Sequence, residues 1–343
     1  MSMRATCGPN FRAAVVLGIV LTALGAACQP SSGPGSGGQG GGGQGGNQDG
    51  GLPPLDDGGA VSSCTSAAAD FQRGYDAYLA GRYAEARAAF AGVIVGCPAD
   101  PAAGSAQYYL ARSYHQELDF PRARAEYAKL RPGWPTHDKV DEAQFYTGLA
   151  WYDEGVYPTA LTALRKLLSD FPMSEKADEA QYYIGRSLHQ QNMYASARAE
   201  YAKVLAGYPT SSKADDAQYR IGDAYYDENN FRAALPELRH VLDRYAASDS
   251  ADDAQFYIGR CHHKLADYAQ ARAEYERLQA GYPTSTYVPE AKYRNGLTHH
   301  DERNYPAELT ALEKMIADHP ADPNAALARM HVDDLKGARA YHP

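Results

Sequence analysis

Apolar positions along the chain fall at helical spacing in short paired runs. Ala180, Ile184 and Leu188 form one stripe, and Ala197, Tyr201 and Leu205 form another, each at i, i+4, i+8. A polar break at residues 191–193 separates them. Pro209 closes the second run, because its ring cannot continue a helix and the residue before it avoids the helical region. Residues 211–216 (S-S-K-A-D-D) then supply caps and acids for the next helix start. The pattern predicts a helical hairpin.

That hairpin recurs with a period of 37 residues. Gln107, Gln144, Gln181, Gln218 and Gln255 mark the beat, with Lys292 in the next place. A small residue follows four positions later at Ala111, Gly148, Gly185, Gly222, Gly259 and Gly296, with Gly74 one period ahead. A bulky residue stands at Phe90, Tyr127, Leu164, Tyr201, Leu238, Tyr275 and Leu312, and the missing glycine side chain would let the two helices approach closely. Ala86, Ala123, Ala160, Ala197, Ala234 and Ala271 hold a further column that only Glu308 breaks. A slower beat of 74 overlies this one. The segment A-R-A-E-Y recurs at 123–127, 197–201 and 271–275, whereas the intervening units carry leucines.

The small, aromatic and proline positions typified by Gly185, Ala197, Tyr201 and Pro209 resemble the tetratricopeptide repeat (TPR), lengthened by three residues in the turn between units. With A-Q-Y-Y-I-G at 180–185, the units look most like those of the periplasmic Tol-Pal-associated coordinators (YbgF or CpoB type), and more distantly like the lipoprotein BamD. The fold implied is all-α, a solenoid of about seven hairpins over residues 64–337 with a closing helix at 324–337. In that family the first helices line a groove. The resemblance therefore implies a partner-binding surface with one ring per unit: Phe71, Tyr108, Phe145, Tyr182, Tyr219, Phe256 and Tyr293. Arg112, His115, Tyr152, Arg186, His189, Tyr226, Arg260, His263 and His300 would stand one turn further along. The same positions admit a plainer reading, with rings packed between neighbouring helices and the arginines paired with Asp153, Asp227 and Asp301.

The chain begins differently. Residues 1–12 carry two arginines and no acid, residues 13–24 are apolar, and Gly25, Ala26 and Ala27 precede Cys28. This reads as an export signal over residues 1–27. Small residues followed by cysteine resemble the lipobox of bacterial lipoproteins, implying acylation of Cys28; secretion after Ala27 is the other reading, since Leu24 sits one place early. By the same resemblance Gln29 favours the outer membrane, on its periplasmic face or exposed at the surface. Residues 28–63 form a linker in which fourteen glycines and no aromatic fall between Gln29 and Gly59, a composition that cannot bury apolar area. As a flexible tether it spans roughly 30 Å. Residues 338–343 form a tail.

Charge and chemistry narrow the function. The formal net charge is -9, and -11 without residues 1–27 (31 basic against 42 acidic), which disfavours nucleic acid because no basic face is offered to phosphates. The glycine-rich match at 33–38 to G-x-G-x-x-G lacks a preceding strand, and no Walker, G-x-S-x-G, C-x-x-C or H-E-x-x-H motif occurs. The pairs His262-His263 and His299-His300 are read as solvated or core histidines. No cofactor, metal or enzymatic activity is expected. Cys64 and Cys97 flank the first hairpin turn at nearly equal distances and so meet at one end; in an exported protein they are expected to form a disulfide, while Cys261 fills a small core space. The expected function is a non-enzymatic envelope scaffold binding proteins or peptides of the cell envelope, touching the membrane through its lipid alone. The alternative is a carbohydrate or peptidoglycan binder, because tyrosine rings also stack on sugars.

Overall fold

In a computed structural model, residues 64–341 are described, with side chains to residue 337; the signal segment, Cys28, the linker to residue 63 and the tail side chains lie outside them. After a short 3-10 turn at Cys64–Ser66 come seven antiparallel hairpins: α1 (Ala67–Leu79) with α2 (Tyr83–Gly96), α3 (Pro101–Gln116) with α4 (Phe120–Gly133), α5 (Val140–Asp153) with α6 (Tyr157–Asp170), α7 (Ala177–Gln190) with α8 (Tyr194–Gly207), α9 (Ala214–Asp227) with α10 (Phe231–Arg244), α11 (Ala251–Lys264) with α12 (Tyr268–Gly281), and α13 (Val288–Asp301) with α14 (Tyr305–Asp318). Helix α15 (Pro323–Tyr341) closes the array. The described residues contain no strand. Each helix packs on the next, and several first helices also touch the first helix of the following unit. This is the stacked arrangement a solenoid requires, since one hairpin cannot bury its own apolar face.

The letters of the repeat now have mechanical roles. A Cβ added at Gly185 would lie 2.6 Å from the ring of Tyr201, and one at Gly222 2.6 Å from Leu238. The glycine column is thus the seat of the bulky residue on the partner helix. Four of the five glutamines clasp the same helix at two points; Gln144, opposite Ala163, does not. Gln181 Nε2 donates to the Glu200 carbonyl at 3.3 Å and to its carboxylate at 2.7 Å, and Gln107, Gln218 and Gln255 do the same to Glu126, Glu237 and Glu274. Where Lys292 replaces glutamine, the position opposite is Ala311, and the lysine turns to Asp318 instead. Within A-R-A-E-Y the arginine reaches into the next unit: Arg124 pairs with Glu154, Arg198 with Glu228 and Arg272 with Glu302 at 2.7–2.8 Å. One segment therefore closes its hairpin through Glu and Tyr and joins the stack through Arg.

A third periodic feature has no counterpart in the residue pattern. The middle residue of every hairpin turn adopts positive φ: Gly81, Leu118, Gly155, Asn192, Asn229, Ala266 and Arg303, between 58° and 82°. This left-handed residue ends the first helix and reverses the chain. Gly81, Gly155, Asn192 and Asn229 take this conformation readily, whereas at Leu118, Ala266 and Arg303 it is imposed by packing on either side of the turn.

At the N-terminal end the hairpin brings Cys64 and Cys97 together as thiols whose side chains hydrogen-bond. That bond to Cys64, with burial second, pushes the Cys97 thiol up to about 11.

Candidate functional site

The ring predicted at each unit sits in the core over most of the array. Tyr108, Phe145, Tyr182, Tyr219 and Phe256 are each at most 4% exposed, and Phe71 and Tyr293 are half-buried. The expected ladder of accessible rings is therefore corrected. Tyr182 meets Tyr201 on the second helix of its own hairpin with centroids 5.8 Å apart, and lysines of the next link cover three of the rings, Lys139 over Tyr108, Lys176 over Phe145 and Lys213 over Tyr182. Burying each ring stabilises the stack and removes it from any partner. The glycan-stacking alternative loses the same platform.

The polar residues one turn further on form two sets. The histidines, not the arginines, reach the neighbouring aspartates: His115 to Asp153, His189 to Asp227 and His263 to Asp301, at 3.1, 2.9 and 2.8 Å. The arginines lie over tyrosine faces instead. Arg112 sits 3.8 Å from the Tyr146 centroid, Arg186 lies over Tyr152 and Tyr182, and Arg260 over Tyr226, Tyr257 and Phe256. Tyr226 is itself buried and Tyr152 half-buried. His300 belongs to neither set: its Nδ1 faces Glu308.

At the C-terminal end of this strip the stack leaves a cavity of about 190 Å³ between α11, α12 and α13, lined by Arg260, His263, Lys264, Tyr275, Arg294 and Asp301. Arg260 Nε and the Tyr275 hydroxyl are buried there without a hydrogen-bond partner. Burial raises the Tyr275 phenol despite the opposing Arg294 and Arg260, so it keeps its proton and remains a donor. The lining holds three permanent cations and one carboxylate, Asp301, which His263 already holds. Arg294 turns back along its own helix to Glu290 at 2.6 Å.

One long period earlier the equivalent place is filled from within. Arg220 corresponds to Arg294, and Asp223, 6% exposed, supplies it with a carboxylate at 2.8 Å. Leu297 stands where Asp223 would be in the last pair of hairpins. The later cavity therefore keeps the cations and lacks an acid at that position; Arg294 takes Glu290, one turn back on its own helix, as its carboxylate partner. Of its residues, Arg260 and His263 were anticipated as binding residues; Lys264, Tyr275 and Arg294 were not. The available signal was the column at Tyr109, Tyr146, Tyr183 and Tyr257, into which Arg220 and Arg294 intrude 74 residues apart.

The stacked hairpins place the chain among the α-solenoids. More narrowly, it carries tetratricopeptide repeats: residues 179–211 and 219–286 each match a tetratricopeptide repeat model. Residues 65–184 match a model described as outer membrane lipoprotein (YfiO), the BamD-like family. Among solved structures the chain is similar to the C-terminal part of a TPR repeat-containing protein from Cytophaga hutchinsonii, at 15% identity over 75% of this chain and 98% of that one, with a TM-score of 0.60. It is also similar to a tetratricopeptide repeat protein from Parabacteroides merdae, at 14% identity over 79% and 99% with a TM-score of 0.52. PilW, a type IV pilus biogenesis factor, is similar at 19% identity over 65% and 97% with a TM-score of 0.50. Likeness at these identities speaks for the fold. No curated protein matches the chain. Among the described residues no helix is long and apolar enough to cross a membrane.

Proposed function

We propose that the protein is a non-enzymatic adaptor of the bacterial cell envelope, held at the outer membrane through acylated Cys28, whose solenoid captures an acidic segment of a partner protein. The observation that carries the binding mode is the cationic cavity at Arg260, Lys264 and Arg294. An aspartate or glutamate side chain, or a chain-terminal carboxylate, entering there would replace the carboxylate that Asp223 provides in the preceding pair of hairpins. It would also meet the unpartnered Arg260 Nε and Tyr275 hydroxyl. Charge-assisted bonds of this kind are about twice as strong as neutral ones, and satisfying buried donors adds to the gain. The His-Asp pairs alongside would continue the surface along the stack. The envelope location is supported by the N-terminal signal pattern and by the match of residues 65–184 to the outer membrane lipoprotein model.

Fluorescence polarisation of a labelled peptide with spaced glutamates, against the same peptide carrying glutamines, tests the binding mode. The acidic peptide should bind preferentially, with an affinity that declines as salt rises and falls at least about tenfold in Arg260→Gln/Arg294→Gln, the loss of about 1.4 kcal/mol per decade. Equal binding of both peptides, or an unaffected double variant, would remove the cavity from the account. Mass spectrometry of the mature N-terminus tests the anchor; an unmodified Cys28 refutes it.

A further inference from the structure

Six units hold alanine at one fully buried position of the second helix, from Ala86 to Ala271, each at 0% exposure. The seventh holds Glu308, also at 0%. An ionised carboxylate in that apolar layer is strongly disfavoured unless other groups compensate it. Two other helices supply the compensation. His300, on α13, places Nδ1 at 3.1 and 3.0 Å from the two carboxylate oxygens, and His331, on α15, places Nδ1 at 3.3 Å. His300 is itself a departure, for the corresponding units carry Tyr152 and Tyr226. Two breaks in the repeat and one histidine of the closing helix thus converge on a single point. The three donor atoms all lie within 4.8 Å of one another.

The structure assigns to His300, Glu308 and His331 a site for a divalent transition-metal ion, zinc by preference, that fastens the closing helix to the last hairpin. The donor chemistry is right: two imidazole nitrogens and one carboxylate oxygen suit zinc, whereas magnesium or calcium would call for more oxygens. The spacing is right as well. Donors bound at about 2.0–2.1 Å in a tetrahedral shell stand about 3.3 Å apart, close to the nitrogen–oxygen separations present here. The side chain of Tyr305 meets His300 edge-on at 5.9 Å and that of Tyr293 meets His331 at 6.1 Å, which limits the rotation of both imidazoles. Three protein donors leave a fourth position for water. It lies toward solvent, because the side chains of His300 and His331 are 46% and 35% exposed. Ligands drawn from α13, α14 and α15 join the last hairpin to the single helix packed on it.

Nδ1–H groups of the two histidines donating to Glu308 would satisfy it with no ion at all, and the test separates the two arrangements. The full chain, stripped with a chelator, is titrated calorimetrically with zinc chloride and, in parallel, with magnesium chloride. Glu308→Ala restores the residue of the other six units and so preserves packing; His331→Gln removes a donor from the half-exposed helix. The expected result is one zinc ion per chain, no magnesium response, and a thermal midpoint raised by zinc in the wild type. Both variants should lose about 100-fold or more in affinity, beyond the 10–100-fold that loss of an outer-shell partner costs. No saturable zinc binding by the wild type overturns the assignment. So does affinity undiminished in either variant, which would send the ion to another donor set such as His189, Asp223 and Asp227.

Discussion

Gly185→Ala probes the contact on which every hairpin depends. The added methyl carbon would lie 2.6 Å from Cδ1 and Cε1 of Tyr201 and 3.1 Å from Cζ, where ordinary carbon contacts stand at about 3.5–4.0 Å. The ring must retreat by about 1 Å. It has little room to do so, because Tyr201 is 0% exposed and wedged against Tyr182 and beneath His189, with centroids 5.8 and 6.5 Å away. Overpacking of this kind costs about 1–3 kcal/mol, against which alanine recovers up to about 1 kcal/mol of helix propensity. The net loss expected is about 0–2 kcal/mol, and about 1–3 kcal/mol relative to an alanine that meets nothing. The array bounds it from above, since Ala111 already sits opposite Tyr127 in the second unit. Gly92→Ala is the control: a Cβ there meets nothing within 4 Å, so the propensity gain of about 0.5–1 kcal/mol should appear undiminished. Urea unfolding followed by circular dichroism gives the two midpoints. Hydrogen exchange in α7 and α8 locates the loss, because long repeat arrays need not unfold in one step. If Gly185→Ala proves as stable as Gly92→Ala and its amides equally protected, the glycine column is not the seat of the bulky residue and the packing argument fails.

Leu118, with φ 62° and 71% exposed, occupies a left-handed turn that costs a non-glycine residue about 1 kcal/mol, so Leu118→Gly should raise the urea midpoint; a lowered midpoint would mean that the turn is held by the leucine itself. Burial pushes the Cys261 thiol up to about 12, which leaves almost no thiolate at pH 8: a maleimide should label it only on unfolding, and prompt labelling of the folded chain would contradict its burial. After oxidation, Cys64 and Cys97 should both be protected as a disulfide worth about 3–4 kcal/mol by loop closure, and two reactive thiols at these positions in thiol-counting by mass spectrometry would refute the pairing. Burial of Glu200 works against ionisation, but hydrogen bonds from Lys203 and Gln181 prevail and lower its carboxyl below the usual value. Its contribution is therefore complete above the unfolded carboxylate range, near pH 4.3, and is lost as pH falls through the lowered folded value. The urea midpoint should drop between pH 5 and pH 3, and drop less in Glu200→Gln; equal drops would show that the clasp does not couple to acid stability.

The number of hairpins, their helical character and their 37-residue period were legible in the sequence because each depends on local spacing: an i, i+4 stripe, a glycine opposite a bulky residue, a proline after the second helix. Exposure was not legible. An aromatic at Tyr182 or Phe256 is equally suited to a groove or a core, and only the placement of the second helix and the next link decides that it is covered. The pairing of His189 with Asp227, the cationic cavity at Arg260 and Arg294, and the meeting of His300, Glu308 and His331 arise between units or between the last unit and its cap. Such contacts are set by the angle at which hairpins stack. The residues in each column fix which chemistry is carried, but the helix-to-helix geometry fixes which of those groups share a space, and that information is spread over packing contacts dozens of residues apart along the chain.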